Sequence, residues 1–467
     1  MTVLDEPNAC KPATAPTPAD GLDALSEAPW RRFHTIAVLL FGVGWAMDAF
    51  EVTLVGNVMG ALGARFHLGA QAMSVLLAAW FFGLMLGAAW FGRLSDRHGR
   101  RRVFPASLTL YGLATLAAAF APNLAALLVL RALAGVGVGA EYAAINAAIT
   151  ELVPRRARGR AAAIVLNFWP LGSLLAALLA WPLLAALPPD LGWRVVFATG
   201  GLIALSTAWL RRYLPESPRW LLAQGRGAEA ATILARVTGG APAALAPLAA
   251  PAAKASLIAL LRHAPGRLAL GAALDFAEAA GYYGLFAFLP LVVLPALHLA
   301  PHALPLFYLA GSLGALIGGL AAALALDRFG RFASVSFFYG ATALATIALA
   351  FVTGFGAGAI MAGFALTNLL ATASWIAAYP TFSELFPTHL RATGIGASVA
   401  VGRIGAMIAP FLVAALGARS MAAALFLLAG FWLLGALAMV VWRVAGGIEG
   451  SGMALERIAP VAAASGA

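Results

Sequence analysis

The sequence predicts an all-α polytopic membrane protein, and three observations lead to that prediction. Hydrophobic residues make up 62% of the 467 residues and charged residues only 10%, whereas about a quarter of the residues in a soluble domain are charged. Apolar runs long enough to cross a ~30 Å hydrocarbon core as helices recur along the whole chain. The basic residues are concentrated in alternate loops, as the positive-inside rule requires.

Twelve apolar stretches are expected to span the membrane. In chain order they are 34–61, 71–92, 103–121, 123–150, 160–187, 194–213, 266–295, 302–326, 333–353, 355–382, 393–417 and 419–443, numbered here as spans 1 to 12. Most of the 30 Lys and Arg residues lie on the tails and on the loops after the even-numbered spans, so both termini are expected in the cytoplasm. The net charge of +11 therefore reflects topology and contact with the lipid bilayer, and nucleic-acid binding is not expected.

Composition divides the chain into five segments. The first is rich in Ala, Pro and acids and lacks the basic start and apolar core of a signal peptide, so a disordered tail is expected. The longest polar interruption holds two short amphipathic pieces, "GRGAEAATILARV" and "SLIALLRH". The segments are a cytoplasmic tail (1–29), an N-terminal six-helix bundle (30–213), a central cytoplasmic loop (214–265), a C-terminal six-helix bundle (266–445) and a second cytoplasmic tail (446–467).

The two halves of the chain repeat each other. "GRLSDRHGRRRV" after span 2 returns as "ALALDRFGRFAS" after span 8, and "ITELVPRRARG" after span 4 returns as "FSELFPTHLRATG" after span 10. In span 1 the stretch "MDAFEV" matches "LDFAEA" in span 7, with two acids three residues apart in each. Two parallel six-helix repeats place a substrate site between the halves, near the middle of the membrane.

These motifs resemble those of the major facilitator superfamily over residues 30–445. "PESPRW", "RALAGVGVGAEY" and "ELVPRRARGR" are similar to the branch of sugar porters, organic-ion transporters and synaptic-vesicle glycoprotein relatives. "DAFEVTLVG" and "GRIGAMIAPFL" resemble aromatic-acid/proton symporters and niacin permeases more narrowly. The resemblance implies transport by alternating access. Span 7 lacks the Gln-Gln and Asn residues of sugar porters, which disfavours a sugar substrate.

Span 1 contains two acids, Asp48 and Glu51, at a depth where a charge is costly. A rise of about 1.5 Å per residue places Asp48 about 20 Å from the cytoplasmic end and Arg131 of span 4 at nearly the same level. Asp48 paired with Arg131 would be a proton-coupled switch, because protonation would break the pair. The alternative is a structural ion pair. Glu51 could be a second proton site, a partner of Arg131, or a polar group facing the cavity.

Arg403 in span 11 lies close to the midplane and suits bidentate capture of a substrate carboxylate. Its alternative is a pair with Glu278, which lies at a similar depth in span 7. Asp275 precedes Glu278 by three residues and is expected on the same substrate-binding wall.

Four aromatic residues and one amide complete the expected binding site. Trp169 and Trp375 lie at the depth of the acids, and Tyr282 and Tyr283 lie somewhat further out, so a flat ligand could stack among them. Packing against neighbouring helices is the alternative for each ring. Asn368 could face the cavity or form a helix–helix hydrogen bond.

A second group of charged residues lies on the repeated loops. As in the superfamily that these loops resemble, they are expected to form a cytoplasmic gate of ion pairs that governs the conformational cycle and not substrate choice. The group contains Asp96, Arg97, Arg100, Glu151, Arg158, Asp327, Arg328, Glu384 and Arg391.

The expected function is secondary transport: proton-coupled symport of a small aromatic or heteroaromatic carboxylate such as nicotinate or a benzoate. No ATP-binding motif and no nucleophile–base constellation is visible, so no cofactor and no enzymatic activity are expected. The single cysteine, Cys10, offers no metal cluster. Alternatives are a proton-driven exporter, a sugar or organic-cation carrier, and a membrane receptor. A monomer in a bacterial inner (plasma) membrane is expected, with substrate, proton and lipid as its partners.

Overall fold

The computed structural model describes residues 27–210, 215–239, 257–386 and 391–447, and every regular element within them is a helix. Helices α1 to α7 form the N-terminal half of the fold and α11 to α15 form the C-terminal half. Helices α8 to α10 belong to the stretch of chain that connects the two halves. In order they are α1 (Arg32–Phe66), α2 (Ala70–His98), α3 (Arg100–Ala118), α4 (Leu124–Leu152), α5 (Arg158–Leu166), α6 (Phe168–Ala186), α7 (Pro189–Leu210), α8 (Pro218–Ala223), α9 (Gly227–Thr238), α10 (Leu257–His263), α11 (Pro265–Phe288), α12 (Leu304–Val352), α13 (Ala357–Leu385), α14 (Arg391–Gly417) and α15 (Met421–Val444).

The helices agree with the predicted spans. In the described part of the chain, ten segments are long and apolar enough to cross a membrane, and a shorter apolar segment covers Leu124–Gly139. Span 3 corresponds to α3, which begins with three arginines that lower its mean hydropathy. Span 5 is divided at Asn167, between α5 and α6. Span 7 is α11 together with a π-helical turn, Leu289–Val293.

The internal repeat is visible in the backbone. Gly99 and Gly330, at matching places in the two repeated loops, have φ values of 84° and 77°. This left-handed region is favourable only for glycine. Gly330 divides α12 into the two predicted spans 8 and 9, because the helical backbone is interrupted there. The repeated motif therefore specifies the same chain reversal in both halves.

Glycines also set the close approach of helices in each half. A Cβ added at Gly83 or Gly87 of α2 would overlap backbone carbonyl oxygens of α4, and one at Gly314 or Gly318 of α12 would overlap those of α13. Small residues let membrane helices pack backbone to backbone, where dispersion and polar contacts replace the hydrophobic driving force. Matching helix pairs are therefore packed in the same way in the two repeats.

The two predicted amphipathic pieces are helices α9 and α10. Leu234 and Val237 of α9 are buried against α8. On the opposite, exposed face, Arg226 donates to Glu229 at 2.7 and 2.6 Å. That hydrogen bond lowers the pKa of Glu229 below its ordinary value, although an exposed pair of this kind contributes little stability.

Contacts between the halves occur toward both ends of the helices. Ser74 of α2 donates a hydrogen bond to the Pro410 carbonyl oxygen of α14 at 3.2 Å. At the other end, the Asn167 side chain lies against Gly319 of α12, where an added Cβ would overlap Oδ1 of Asn167. The halves thus meet on either side of a central space.

Candidate functional site

A cavity lies between the two halves, and the space in it not occupied by protein atoms, open solvent included, is about 560 Å³. Both halves contribute to its wall, and aromatic and charged side chains predominate. The lining residues are Trp45, Asp48, Trp80, Leu84, Val138 and Trp169 from the N-terminal half, and Glu278, Tyr282, Tyr283, Trp375, Tyr379 and Arg403 from the C-terminal half.

Three tryptophans form one wall of this cavity. The ring centroids of Trp45 and Trp169 are 5.8 Å apart, those of Trp45 and Trp375 are 6.4 Å apart, and those of Trp169 and Trp375 are 6.3 Å apart. Tyr379 packs edge-on against Trp375 at 5.2 Å. Tilted and edge-to-face rings at these distances attract one another and present apolar faces on which a flat ligand can stack.

One hydrogen bond crosses from half to half in this wall. Nε1 of Trp169 on α6 donates to the hydroxyl oxygen of Tyr282 on α11 at 3.0 Å. Tyr283, the next residue, packs its ring on Phe81 of α2 with centroids 4.5 Å apart. The structure therefore places Trp169, Trp375, Tyr282 and Tyr283 in the cavity lining.

The ion pair of Arg131 differs from the expected one. Depth alone favours Asp48 as its partner, whereas the Arg131 guanidinium pairs with the carboxylate of Glu51. Thr115 of α3 donates a second hydrogen bond to Glu51 at 3.2 Å. The side chains of Arg131 and Glu51 are 1% and 0% exposed. This pair lies inside the N-terminal half. Pairing with Arg131 is one of the three roles that the sequence leaves open for Glu51.

Helix geometry explains why Arg131 pairs with Glu51 and not with Asp48. Residues three apart on a helix differ by about 60° in direction and by about 4.5 Å in depth. A depth estimate cannot separate them, because an arginine side chain is long enough to reach either. Glu51 points toward α3 and α4, whereas Asp48 lines the cavity beside Trp45. Asp48 is 4% exposed.

One acid of α11 and the arginine of α14 form a charged part of the cavity wall. Glu278 and Arg403 both line it, and Arg403 interacts electrostatically with Glu278 and Asp275. Asp275 lies three residues nearer the N-terminal end of α11 and is 3% exposed. Its carboxylate packs on the backbone of α14, where a Cβ added at Gly402 would overlap Oδ2 of Asp275. The position of Arg403 is compatible with both alternatives, capture of a substrate carboxylate and pairing with Glu278.

Asn368 is not among the described residues that line the cavity. Its amide nitrogen donates to the Phe364 carbonyl oxygen at 2.9 Å within α13, and the side chain is 7% exposed. An amide in the apolar interior is satisfied here by its own helix, as buried polar groups require.

The predicted cytoplasmic gate falls mostly outside the described side chains. Of its members only Arg328 has a described side chain, which is exposed with its guanidinium 5.6 Å from the centroid of the Phe329 ring. The others lie outside the described side chains: Asp96, Arg97, Arg100, Glu151, Arg158, Asp327, Glu384 and Arg391.

Several cavity residues were not expected from the sequence. Trp45 precedes Asp48 by three residues and Tyr379 follows Trp375 by four, so helical spacing could have placed each beside its predicted neighbour. Trp80 carried no such signal, and neither did Thr115, which bonds to Glu51 and is not among the described residues of the cavity lining. Among the residues that the structure describes, no group of three or more His, Cys, Asp or Glu side chains could hold a metal ion.

Comparison with known proteins is consistent with this arrangement. The family model described as the Major Facilitator Superfamily matches residues 35–410. The chain is 30% identical over 400 residues to the niacin transporter NiaP of Acinetobacter baylyi, covering 84% of this chain and 90% of that protein. It is 32% identical over 375 residues to the gentisate transporter of Corynebacterium glutamicum, covering 79% of each. The structure of the xylose transporter XylE from E. coli matches with a TM-score of 0.72 at 20% identity, covering 91% of this chain and 100% of that one.

Proposed function

Because the chain belongs to the Major Facilitator Superfamily, we propose that this membrane transport protein imports a small aromatic or heteroaromatic carboxylate together with protons. Nicotinate and benzoates are the first ligands to expect. Import takes place by alternating access of the central cavity, in a monomer within a bacterial inner (plasma) membrane.

The observation that carries the proposal is the position of Arg403 in a cavity walled by three tryptophans. A guanidinium matches a carboxylate with two parallel hydrogen bonds, and it stays charged at every physiological pH. The rings of Trp45, Trp169 and Trp375 offer apolar faces for the ring of the ligand. A planar carboxylate satisfies both features at once. Relatives described as transporters of niacin and of gentisate, whose names denote aromatic acids, support the same ligand class.

Asp48 is proposed as a proton carrier of the N-terminal half. Its carboxyl group lines the cavity, so water and substrate reach it in some stage of the cycle. Neutralising it by protonation removes the cost of a charge in the membrane interior and allows the halves to close around the substrate. The pair of Glu51 and Arg131 holds α1 to α4 next to this acid, and protonation of Glu51 would release Arg131.

Alternating access requires the cross-half contacts to be broken and remade. The hydrogen bond from Trp169 to Tyr282 and the ring contact of Phe81 with Tyr283 both join the two halves. Each contact is weak compared with the packing inside a half, so rocking of the halves about the substrate can break one set at a time.

An organic-cation carrier is the second candidate, and one observation favours it. Among the described residues that line the cavity, two are carboxylates and one is an arginine. Carboxylates with aromatic rings also suit a cationic ligand, through ion pairing and cation–π attraction. The two candidates differ in the sign of charge on the ligand, which makes them easy to separate.

The test is uptake into liposomes that contain the purified protein. Labelled nicotinate, benzoate, xylose and an organic cation are presented with and without an inward proton gradient, and protein-free liposomes give the background. We expect carboxylate accumulation that depends on the gradient. Accumulation of only the cation would favour the second candidate, gradient-driven efflux would indicate an exporter, and carboxylate uptake that ignores the gradient would contradict proton coupling.

A further inference from the structure

Helix α11 contains two carboxylates, three residues apart, that share one arginine. Glu278 lines the cavity beside Arg403 of α14. Asp275 lies about one turn nearer the N-terminal end of α11. Its carboxylate packs against the backbone of Gly402, the residue before Arg403. Arg403 interacts electrostatically with both acids. The three groups therefore form one cluster at the interface of α11 and α14.

The charges of this cluster do not balance. The other titratable groups that face it are tyrosines, which are neutral, and the acid of α1 across the cavity; they are Tyr282 and Tyr283 of α11, Tyr339 of α12, Tyr379 of α13 and Asp48. Within the described lining, Arg403 is the one cation. Two carboxylates at one site cannot both ionise without a large cost, so one of them holds a proton when a single arginine is present.

We infer that Asp275, Glu278 and Arg403 form a second proton-binding site, at which a substrate carboxylate and a proton bind together. The inference rests on the proposed function and adds to it a site in the C-terminal half. In the empty cavity, Arg403 neutralises one carboxylate while the other carries a proton. An entering substrate carboxylate takes the guanidinium of Arg403, and the acid that loses this partner binds a proton from water at a carboxylate oxygen.

Release reverses the exchange. When the cavity opens to the other side, the proton leaves that carboxylate, which recovers Arg403 and displaces the substrate. In each cycle one O–H bond forms at a carboxylate oxygen when the proton binds and breaks when the proton leaves, and no other covalent bond changes. The N-terminal half shows a related plan, in which α1 has two acids and α4 has one arginine; there Glu51 pairs with Arg131 and Asp48 faces the cavity.

The stoichiometry of transport follows from two sites. With Asp48 and the α11 pair each taking one proton, about two protons accompany one carboxylate, and transport moves net positive charge inward. The reversal potential of substrate-driven current in liposomes, measured at several proton and nicotinate gradients, gives this ratio. A ratio of two is expected, and a ratio of one would overturn the second site. Absence of any nicotinate transport would instead count against the proposed function.

A binding measurement isolates the second site. Saturating nicotinate is added to the purified Asp48→Asn variant in weak buffer with a pH indicator. The variant should still take up about one proton per bound ligand. Adding either Asp275→Asn or Glu278→Gln to the Asp48→Asn variant should preserve this proton uptake, because the remaining acid can still give up Arg403 to the substrate and bind a proton. Both added together should abolish it. Glu229→Gln, which changes an exposed acid far from the cavity, should have no effect.

The opposite results are equally clear. If Asp48→Asn binds nicotinate without taking up a proton, the α11 pair is not a proton site. If the variant lacking both α11 acids still takes up the proton, another group is responsible. Should that variant fail to fold, the reversal potential of the unmodified protein decides by itself.

Discussion

The guanidinium of Arg131 and the carboxylate of Glu51 form an ion pair in which both side chains are almost completely buried. Thr115 supplies a further hydrogen bond to the same carboxylate. Removing one member of such a pair leaves an uncompensated charge, whereas removing both avoids that cost. The pair therefore links α1, α3 and α4.

The first prediction concerns the stability that this pair provides. Arg131→Met or Glu51→Gln should each lower the free energy of unfolding by about 3–5 kcal/mol, and the double variant should lose clearly less than the sum. Thermal unfolding in detergent measures these losses. The matched control is Arg65→Met, which breaks an exposed pair with Asp190 and should cost less than about 1 kcal/mol. Additive losses in the double variant would show that the two charges do not depend on each other.

A second prediction follows from the contact between Gly402 and Asp275. Gly402→Ala would force its Cβ into the carboxylate of Asp275, so the protein should lose thermal stability, and nicotinate binding should weaken because Arg403 shifts with it. Gly396→Ala on the same helix is the control, since nothing lies within 4 Å of the added atom. That change should leave stability unaltered or improve it by a few tenths of a kcal/mol. Equal effects of the two substitutions would contradict the contact.

The hydrogen bond between Trp169 and Tyr282 gives a third prediction. Trp169→Phe and Tyr282→Phe should each weaken the contact between the halves, and the double variant should show a coupling of about 0.5–1.5 kcal/mol. A double-mutant cycle on thermal unfolding yields this coupling directly. A coupling near zero would mean that the two groups do not interact in the protein.

A fourth prediction tests the role of Arg403 in recognition. Arg403→Ala should raise the Kd for nicotinate by about 10- to 100-fold, because a charge-assisted pair of hydrogen bonds is lost. The Kd for nicotinamide, which has the same ring and no negative charge, should change much less. Isothermal titration of purified protein with both ligands provides the comparison. An unchanged Kd for nicotinate would remove Arg403 from the substrate site.

The sequence was sufficient for the architecture because membrane spans and repeats depend on local composition. The apolar runs and the repeated loop motifs predict spans and an internal repeat that the structure contains. Side-chain direction was harder to predict. Asp48 and Glu51 differ by less than a turn of helix, and only the packing of α3 and α4 around α1 decides which one meets Arg131.

The aromatic residues illustrate the same difficulty. Trp169 and Trp375 were distinguished by depth, but Trp45 and Trp80 line the cavity as well. A tryptophan that faces lipid, one that packs against another helix and one that faces a cavity have the same sequence signal, because all three lie in apolar runs. Asn368 shows the converse, since it was a polar candidate for the cavity but its amide bonds to its own helix.

The account depends most on proton movement coupled to a carboxylate through the central cavity. The direct measurement is the internal pH of liposomes that contain the protein, with the membrane potential clamped and no proton gradient imposed. External nicotinate should acidify the interior in the unmodified protein. Asp48→Asn should abolish net uptake, and with it the acidification, while still exchanging labelled for unlabelled nicotinate. Nicotinate entry without acidification, or equal loss of uptake and exchange in Asp48→Asn, would contradict the account.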